Sequence, residues 1–182
     1  MEKTTYSGAR AVVTTGILSA IAILLGLTQW GFIPFPTGVQ ATILHIPAII
    51  GGIVVGWPGG ALIGLIFGVF SFLWSTVPLF KDPLVSIVPR VFIGITAYLA
   101  YVGLRRFNDT VALTVSAVVG TLTNSLLVLG MAVLRQYMPP ELALTILIGN
   151  GIPECIVAAI IVVAVVKALK ATRGGAVRKA KL

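Results

Sequence analysis

Apolar residues fall in six long runs, separated by short segments rich in charge, glycine or proline. Runs of this length and continuity are the signature of helices that cross a bilayer. The first span is expected over about residues 11–27. The loop after it holds Gly31, Pro34, Pro36 and Gly38, all turn or breaker residues, with Trp30, Phe32 and Phe35 among them. Aromatic residues there suit a membrane interface or a lid over a site. The second span, about 40–55, is short for a bilayer. Gly56-Trp57-Pro58-Gly59 then turns the chain directly into a third span, about 60–77, which makes the two an antiparallel hairpin.

After a polar loop with Lys81 and Asp82, the fourth span covers about 84–104 and stops at Arg105 and Arg106. Asn108 or Asp109 can cap the fifth, about 110–134. Pro139-Pro140 precedes the sixth, about 142–169, and a basic tail over 170–182 follows. The expected fold is therefore an all-α membrane protein, six transmembrane helices in one compact domain spanning 1–182. No internal repeat marks two halves. Lys3 and Arg10 precede the first run and no small-residue cleavage site follows it, so a retained span is expected rather than a removed signal peptide.

Composition narrows the class. Of 182 residues 58% are hydrophobic and 10% charged, too few charges to cover a soluble domain of this length. The formal charge of +8 does not point to nucleic acid, because the basic residues sit between or after the apolar runs. Their distribution sets orientation instead. With the N-terminus inside, ten lysines and arginines lie on the inner side, Lys81 and Arg135 on the outer, and Arg90 within a span. The positive-inside rule then places both termini in the cytoplasm, and an even number of spans returns the C-terminal tail to that side.

Polar residues inside the runs carry the functional signal. They are His45, Arg90, Asn124, Asn150 and Glu154. A charge at the bilayer centre costs roughly 2.5–3.5 kcal/mol on insertion scales, so such residues usually face a cavity or a partner. In the expected topology all five fall in the outer half of the membrane, and Asn150 and Glu154 share a helix face four residues apart. Together they predict a polar pocket open to the exterior. Each also has a plainer reading. Arg90 can snorkel to the interface or pair with Glu154, His45 can be a hydrogen-bonded structural residue, and Asn124 can join helices.

Glycines at 52, 56, 60, 64 and 68 recur every four positions. The bend at Pro58 breaks the register, leaving Gly60, Gly64 and Gly68 as one stripe suited to close helix packing. Gly16 and Ala20 have the same spacing in the first span. Catalytic chemistry finds little support. There is one histidine, one cysteine (Cys155, read as a small buried residue) and five acidic residues, with no HExxH, GxSxG or P-loop. His45 and Glu154 make too thin a set for zinc, and no cofactor or metal site is expected.

Several segments, in this order, resemble the substrate-binding S components of energy-coupling factor (ECF) vitamin transporters of the pantothenate, cobalamin and hydroxymethylpyrimidine type. They are the 16–20 segment Gly-Ile-Leu-Ser-Ala; His45-Ile-Pro-Ala-Ile-Ile-Gly-Gly with Gly56-Trp-Pro-Gly-Gly; Val88-Pro-Arg90-Val-Phe-Ile-Gly94; Thr123-Asn124-Ser; and Asn150-Gly-Ile-Pro-Glu154. The resemblance implies a six-helix fold in a bacterial or archaeal cytoplasmic membrane, with a vitamin bound from outside under the loop after the first span. It implies docking of the Gly16/Ala20 face on a membrane scaffold (T) subunit coupled to two ATP-binding subunits. The family motif is commonly Ala-xxx-Ala; here Gly16 replaces the first alanine. An Arg in the pocket favours an anionic ligand, because its planar fork clamps a carboxylate. Pantothenate, with one carboxylate, leads, while cobalamin, a pyrimidine precursor, vitamin B6 and riboflavin remain open. The alternatives from other classes are a stand-alone secondary transporter or channel, and an intramembrane hydrolase.

Overall fold

A computed structural model of the chain describes residues 8–28, 30–34 and 40–179, with side chains at 32–34, 40, 41 and 173–179 outside the description. The elements are α1 (Ala9–Leu27), β1 (Phe32–Pro34), β2 (Gln40–Thr42), α2 (Ile46–Val55), α3 (Trp57–Trp74), a 3-10 turn (Pro78–Lys81), α4 (Pro83–Ser86), α5 (Val88–Leu104), α6 (Asp109–Leu134) and α7 (Pro140–Lys179). Among the described residues, five helices are long and apolar enough to cross a membrane: α1, α3, α4 together with α5, α6 and α7. Their outward faces are aliphatic. Leu144, Ile148, Ile152, Ile156 and Ile160 form an exposed stripe on α7 at four-residue intervals, as a lipid-facing surface requires.

The second apolar run departs from expectation. Gln40–Thr42 is not helical but pairs antiparallel with Phe32–Pro34, Phe32 opposite Thr42. Helix α2 keeps only 10 residues, about 15 Å of rise, against a hydrocarbon core of about 30 Å. It can be short because it is wrapped by protein: all 10 of its residues are buried. Pro47 begins it without the loss of a helical bond, and Gly56 ends it at φ 110°, a backbone conformation that L side chains rarely adopt. The Gly56 N–H returns to the carbonyls of Gly51 and Gly52, and Trp57-Pro58 opens α3 at once.

That turn lays α3 back along α2 and against α5. A methyl at Gly60 would lie 2.7 Å from the Gly52 Cα and 2.8 Å from the Gly94 Cα. Gly52 thus rejoins the stripe that the bend at Pro58 removes in sequence, because the bend folds it opposite Gly60. Gly64 faces the carbonyl of Arg90, and Gly68 faces the backbone of Ser86 and Ile87. The glycine stripe is therefore filled by the chain's own helices. Around it pack Ile49, Ile63, Ile93, Leu113 and Val162, all fully buried.

Polar ties fix the two ends of the bundle. At one end Asn108 caps α6, accepting from the N–H groups of Thr110 (2.9 Å) and Val111 (3.2 Å). Asp109, the other candidate cap, instead accepts from the Tyr101 hydroxyl and from Lys170, joining α5, α6 and α7. At the other end Asp82 caps α4 through the Leu84 N–H at 2.9 Å and receives Arg135 Nε at 2.7 Å, with the Tyr137 hydroxyl at 3.3 Å. This joins the loops before α4 and after α6. The hydrogen bond from Arg135 holds the Asp82 carboxyl below the usual carboxylate range. Cys155 is half-buried rather than enclosed, since its position on α7 turns partly outward.

Two predictions follow from this packing. Gly60→Ala should destabilise the protein by about 1–3 kcal/mol through overpacking, while Gly103→Ala, where a methyl meets nothing within 4 Å, should stay within about 0.5 kcal/mol of wild type. Thermal melting in detergent separates the two. Because the folded-state pKa of Asp82 lies below its ordinary 3.8, its tie contributes stability above pH 3.8 and loses it as pH falls through the lower, folded value. Asp82→Asn should lower the melting temperature at pH 7 and erase the difference from wild type in acid below that value. Melting curves across pH measure it.

Candidate functional site

A cavity of about 520 Å³ opens at the end of the bundle that carries Asp82. Its volume lies within the usual range of small-molecule sites. The topology explains its place. The C-terminal ends of α1 and α3, the start of α2 and α5, the second half of α6 and the first half of α7 all meet there. His45, Arg90, Asn124, Asn150 and Glu154 all line it, so the structure gathers the five polar residues around one space.

Arg90 is 4% exposed on the first turn of α5. Its Nη1 donates to the Val85 carbonyl at 2.6 Å, and the guanidinium lies 4.7 Å from the centre of the Phe80 ring and 5.5 Å from that of Phe67. Aromatic faces attract a cation but do not neutralise it. Among the described residues, no carboxylate forms an ion pair with Arg90. Its Nε is buried without a hydrogen-bond partner. A snorkelling anchor would carry its head to water; this one is enclosed.

The alternative reading of Arg90, a pairing with Glu154, is not formed among the described residues. Glu154 is committed elsewhere: its Oε1 accepts from the Thr42 N–H at 2.7 Å and from the Thr42 hydroxyl at 2.9 Å, with Ser125 a further donor to the carboxylate. His45, 1% exposed, pairs through Nε2 with the Thr121 hydroxyl at 2.9 Å, so its plainer structural role is also present. Its Nδ1 and the Asn124 Oδ1 are buried without partners. Buried polar atoms are nearly always satisfied, so a wall with three such atoms has hydrogen-bonding capacity to spare.

The expected covering and docking residues divide differently. Trp30 is 78% exposed and does not line the cavity, because the turn closed by the Gly31 N–H on the Leu25 carbonyl leaves its side chain outside. Phe32 belongs to β1, but its side chain, like Phe35 as a whole, lies outside the described residues. Gly16 and Ala20 both sit on the exposed face of α1, and a methyl at Gly16 meets no atom within 4 Å. Sequence reasoning missed Phe67 and Phe80, the rings around Arg90, and Thr42, the partner of Glu154. Phe67 in an apolar run and Phe80 in a short loop give no signal, and Thr42 and Glu154 are 112 residues apart.

Comparison with known proteins bears on the family and the fold. Residues 10–166 match the family described as ECF transporter, substrate-specific component. The pantothenic acid transporter PanT of Lactococcus lactis subsp. cremoris is 32% identical over 92% of this chain and 97% of its own length. The pantothenate transporter PanT of Leuconostoc mesenteroides subsp. mesenteroides is 31% identical over half of each chain. A solved structure described as the S component of a bacterial ECF transporter superposes with a TM-score of 0.64, covering 90% of this chain and 96% of that one at 19% identity, which speaks for the fold. The matched family is one of transport components, not of enzymes. A membrane protein with this fold and this family match belongs to the substrate-specific components of ECF transporters.

Proposed function

We propose that the chain captures pantothenate at the outer face of the cytoplasmic membrane and delivers it to an ATP-driven ECF module. The observation that carries this reading is Arg90, a buried guanidinium on the cavity wall with no carboxylate paired to it among the described residues. Burying a cation unpaired is costly, and an anionic ligand removes that cost. Pantothenate has one carboxylate for Arg90, and an amide and two hydroxyls for the polar wall around His45, Asn124 and Asn150. Its branched dimethyl group suits the apolar surface of Leu44 and Val128. The names of the two relatives support the same ligand.

The remaining parts of the reading follow from charge and shape. The ten-to-two distribution of basic residues supports both termini in the cytoplasm and the cavity mouth outside. Membership of the ECF transporter family supports partner subunits that hydrolyse ATP. The flat, exposed strip at Gly16 and Ala20 is the surface on which the scaffold subunit packs, since small residues let helix backbones approach closely.

Arg90→Ala should weaken pantothenate binding by about 2–5 kcal/mol, the usual loss on truncating one partner of a buried charge pair. Arg90→Lys should recover only part, because an ammonium lacks the planar two-donor fork. Calorimetry on the solubilised subunit measures both, and an Arg90→Ala variant that binds as tightly as wild type would sink the assignment. Gly16→Leu should leave that binding intact, because Gly16 is on the exposed face of α1, where a methyl meets no atom within 4 Å, and does not line the cavity. It should nevertheless abolish most uptake in cells carrying the complete transporter; normal uptake would remove α1 as the docking face.

A further inference from the structure

Glu154 is 6% exposed, and its carboxylate forms no ion pair among the described residues. Its Oε1 instead takes both donors of Thr42, the backbone N–H and the hydroxyl. Thr42 ends β2 and lines the cavity, and Leu44, two residues on, lines it as well. One residue before Glu154 stands Pro153, the proline inside α7. It has no N–H for the Gly149 carbonyl, so the helix is locally released where it meets the strand. Hydrogen bonds to an ionised group are about twice as strong as neutral ones, and two of them converge here on one strand residue. The tie joins α7 to β2, a strand only 3 residues long that pairs with β1 in the ladder.

We infer that Glu154 is a positioning residue: by holding Thr42 it fixes the strand at the cavity wall, and it governs how long a ligand is retained rather than which ligand is chosen. This rests on the capture reading above. Arg90, on the first turn of α5, makes the choice by charge. Glu154, whose Oε1 already accepts twice from Thr42, sets the rigidity of the wall through which the ligand leaves. A strand held by two charge-assisted bonds opens less often than one held by a single neutral bond.

The test uses the full chain in detergent, with wild type, Glu154→Gln, Thr42→Val, Thr42→Ser and the Thr42→Val/Glu154→Gln double variant. The first readout needs no ligand: hydrogen exchange in a peptide covering residues 40–46. Glu154→Gln should speed exchange about ten-fold, Thr42→Val should speed it less because the N–H bond remains, and Thr42→Ser should match wild type, keeping both donors. The second readout is release of radiolabelled pantothenate. Dissociation should quicken about ten-fold in Glu154→Gln with association unchanged, and the double variant should fall short of the sum of the two single effects. The preference for pantothenate over its alcohol analogue panthenol should not move. Unchanged exchange in Glu154→Gln, additive effects in the double variant, or an altered pantothenate-to-panthenol ratio would each overturn the inference, the last by making Glu154 a ligand contact. Should Glu154→Gln fail to fold, Thr42→Val against Thr42→Ser decides it. Wild type that retains no pantothenate would refute the capture reading, while the exchange result would still decide whether Glu154 holds Thr42.

Discussion

Helix α3 runs along α5 with almost no side chain between them, and the rest of the molecule is arranged around that contact. A bilayer gives helices little hydrophobic reason to associate, so they gain by close packing and complementary shape. Gly60 and Gly94 put two backbones in contact, with Gly52 of α2 against the same point. Further along, Gly64 packs on the carbonyl of Arg90 itself and Gly68 on Ser86 and Ile87. The same contact that holds the bundle therefore sets the height and rotation of the first turn of α5. That turn aims the guanidinium between Phe67, also on α3, and Phe80. The packing of the bundle and the placing of Arg90 share one strip of glycine.

The short α2 follows from the same economy. A helix of 10 residues cannot cross a bilayer, yet it is the most enclosed helix of the protein. Its ends meet protein rather than lipid, with the β1–β2 ribbon before it and the Gly56 turn after it. The space that a full-length helix would fill at the Asp82 end is where the cavity lies. Irregular backbone at membrane depth is tolerated where it lines a cavity or is buried in protein, and Leu44 and His45 do both.

Much of this architecture was legible in the amino-acid sequence, for physical reasons. Long apolar runs are strong signals because the bilayer tolerates few exceptions. The same intolerance makes His45, Arg90, Asn124, Asn150 and Glu154 conspicuous, and they do meet around one cavity. What was hidden depends on pairing across distance. A three-residue strand at Gln40–Thr42 is too short to show a period of two, so it reads as the beginning of a span. Nothing in sequence says that Glu154 prefers Thr42 to Arg90, or that Asp82 reaches Arg135 53 residues away. Gly52 dropped out of the glycine stripe because the bend at Pro58 was read as an interruption, when in three dimensions it is what brings Gly52 opposite Gly60.

The separation of Arg90 and Glu154 is as consequential as either residue. An opposite pair on one cavity wall would ordinarily close on itself, and each charge would then satisfy the other at the expense of any ligand. Here each is held back by its own neighbours. Arg90 is drawn to the Val85 carbonyl and to two aromatic faces, none of which carries a full negative charge. Glu154 is drawn the other way by a threonine that offers two donors but no positive charge. Both side chains are thereby positioned by partners too weakly charged to neutralise them. Among the described residues the cation on the cavity wall therefore has no carboxylate paired to it, and the proposed capture of an anion rests on that feature.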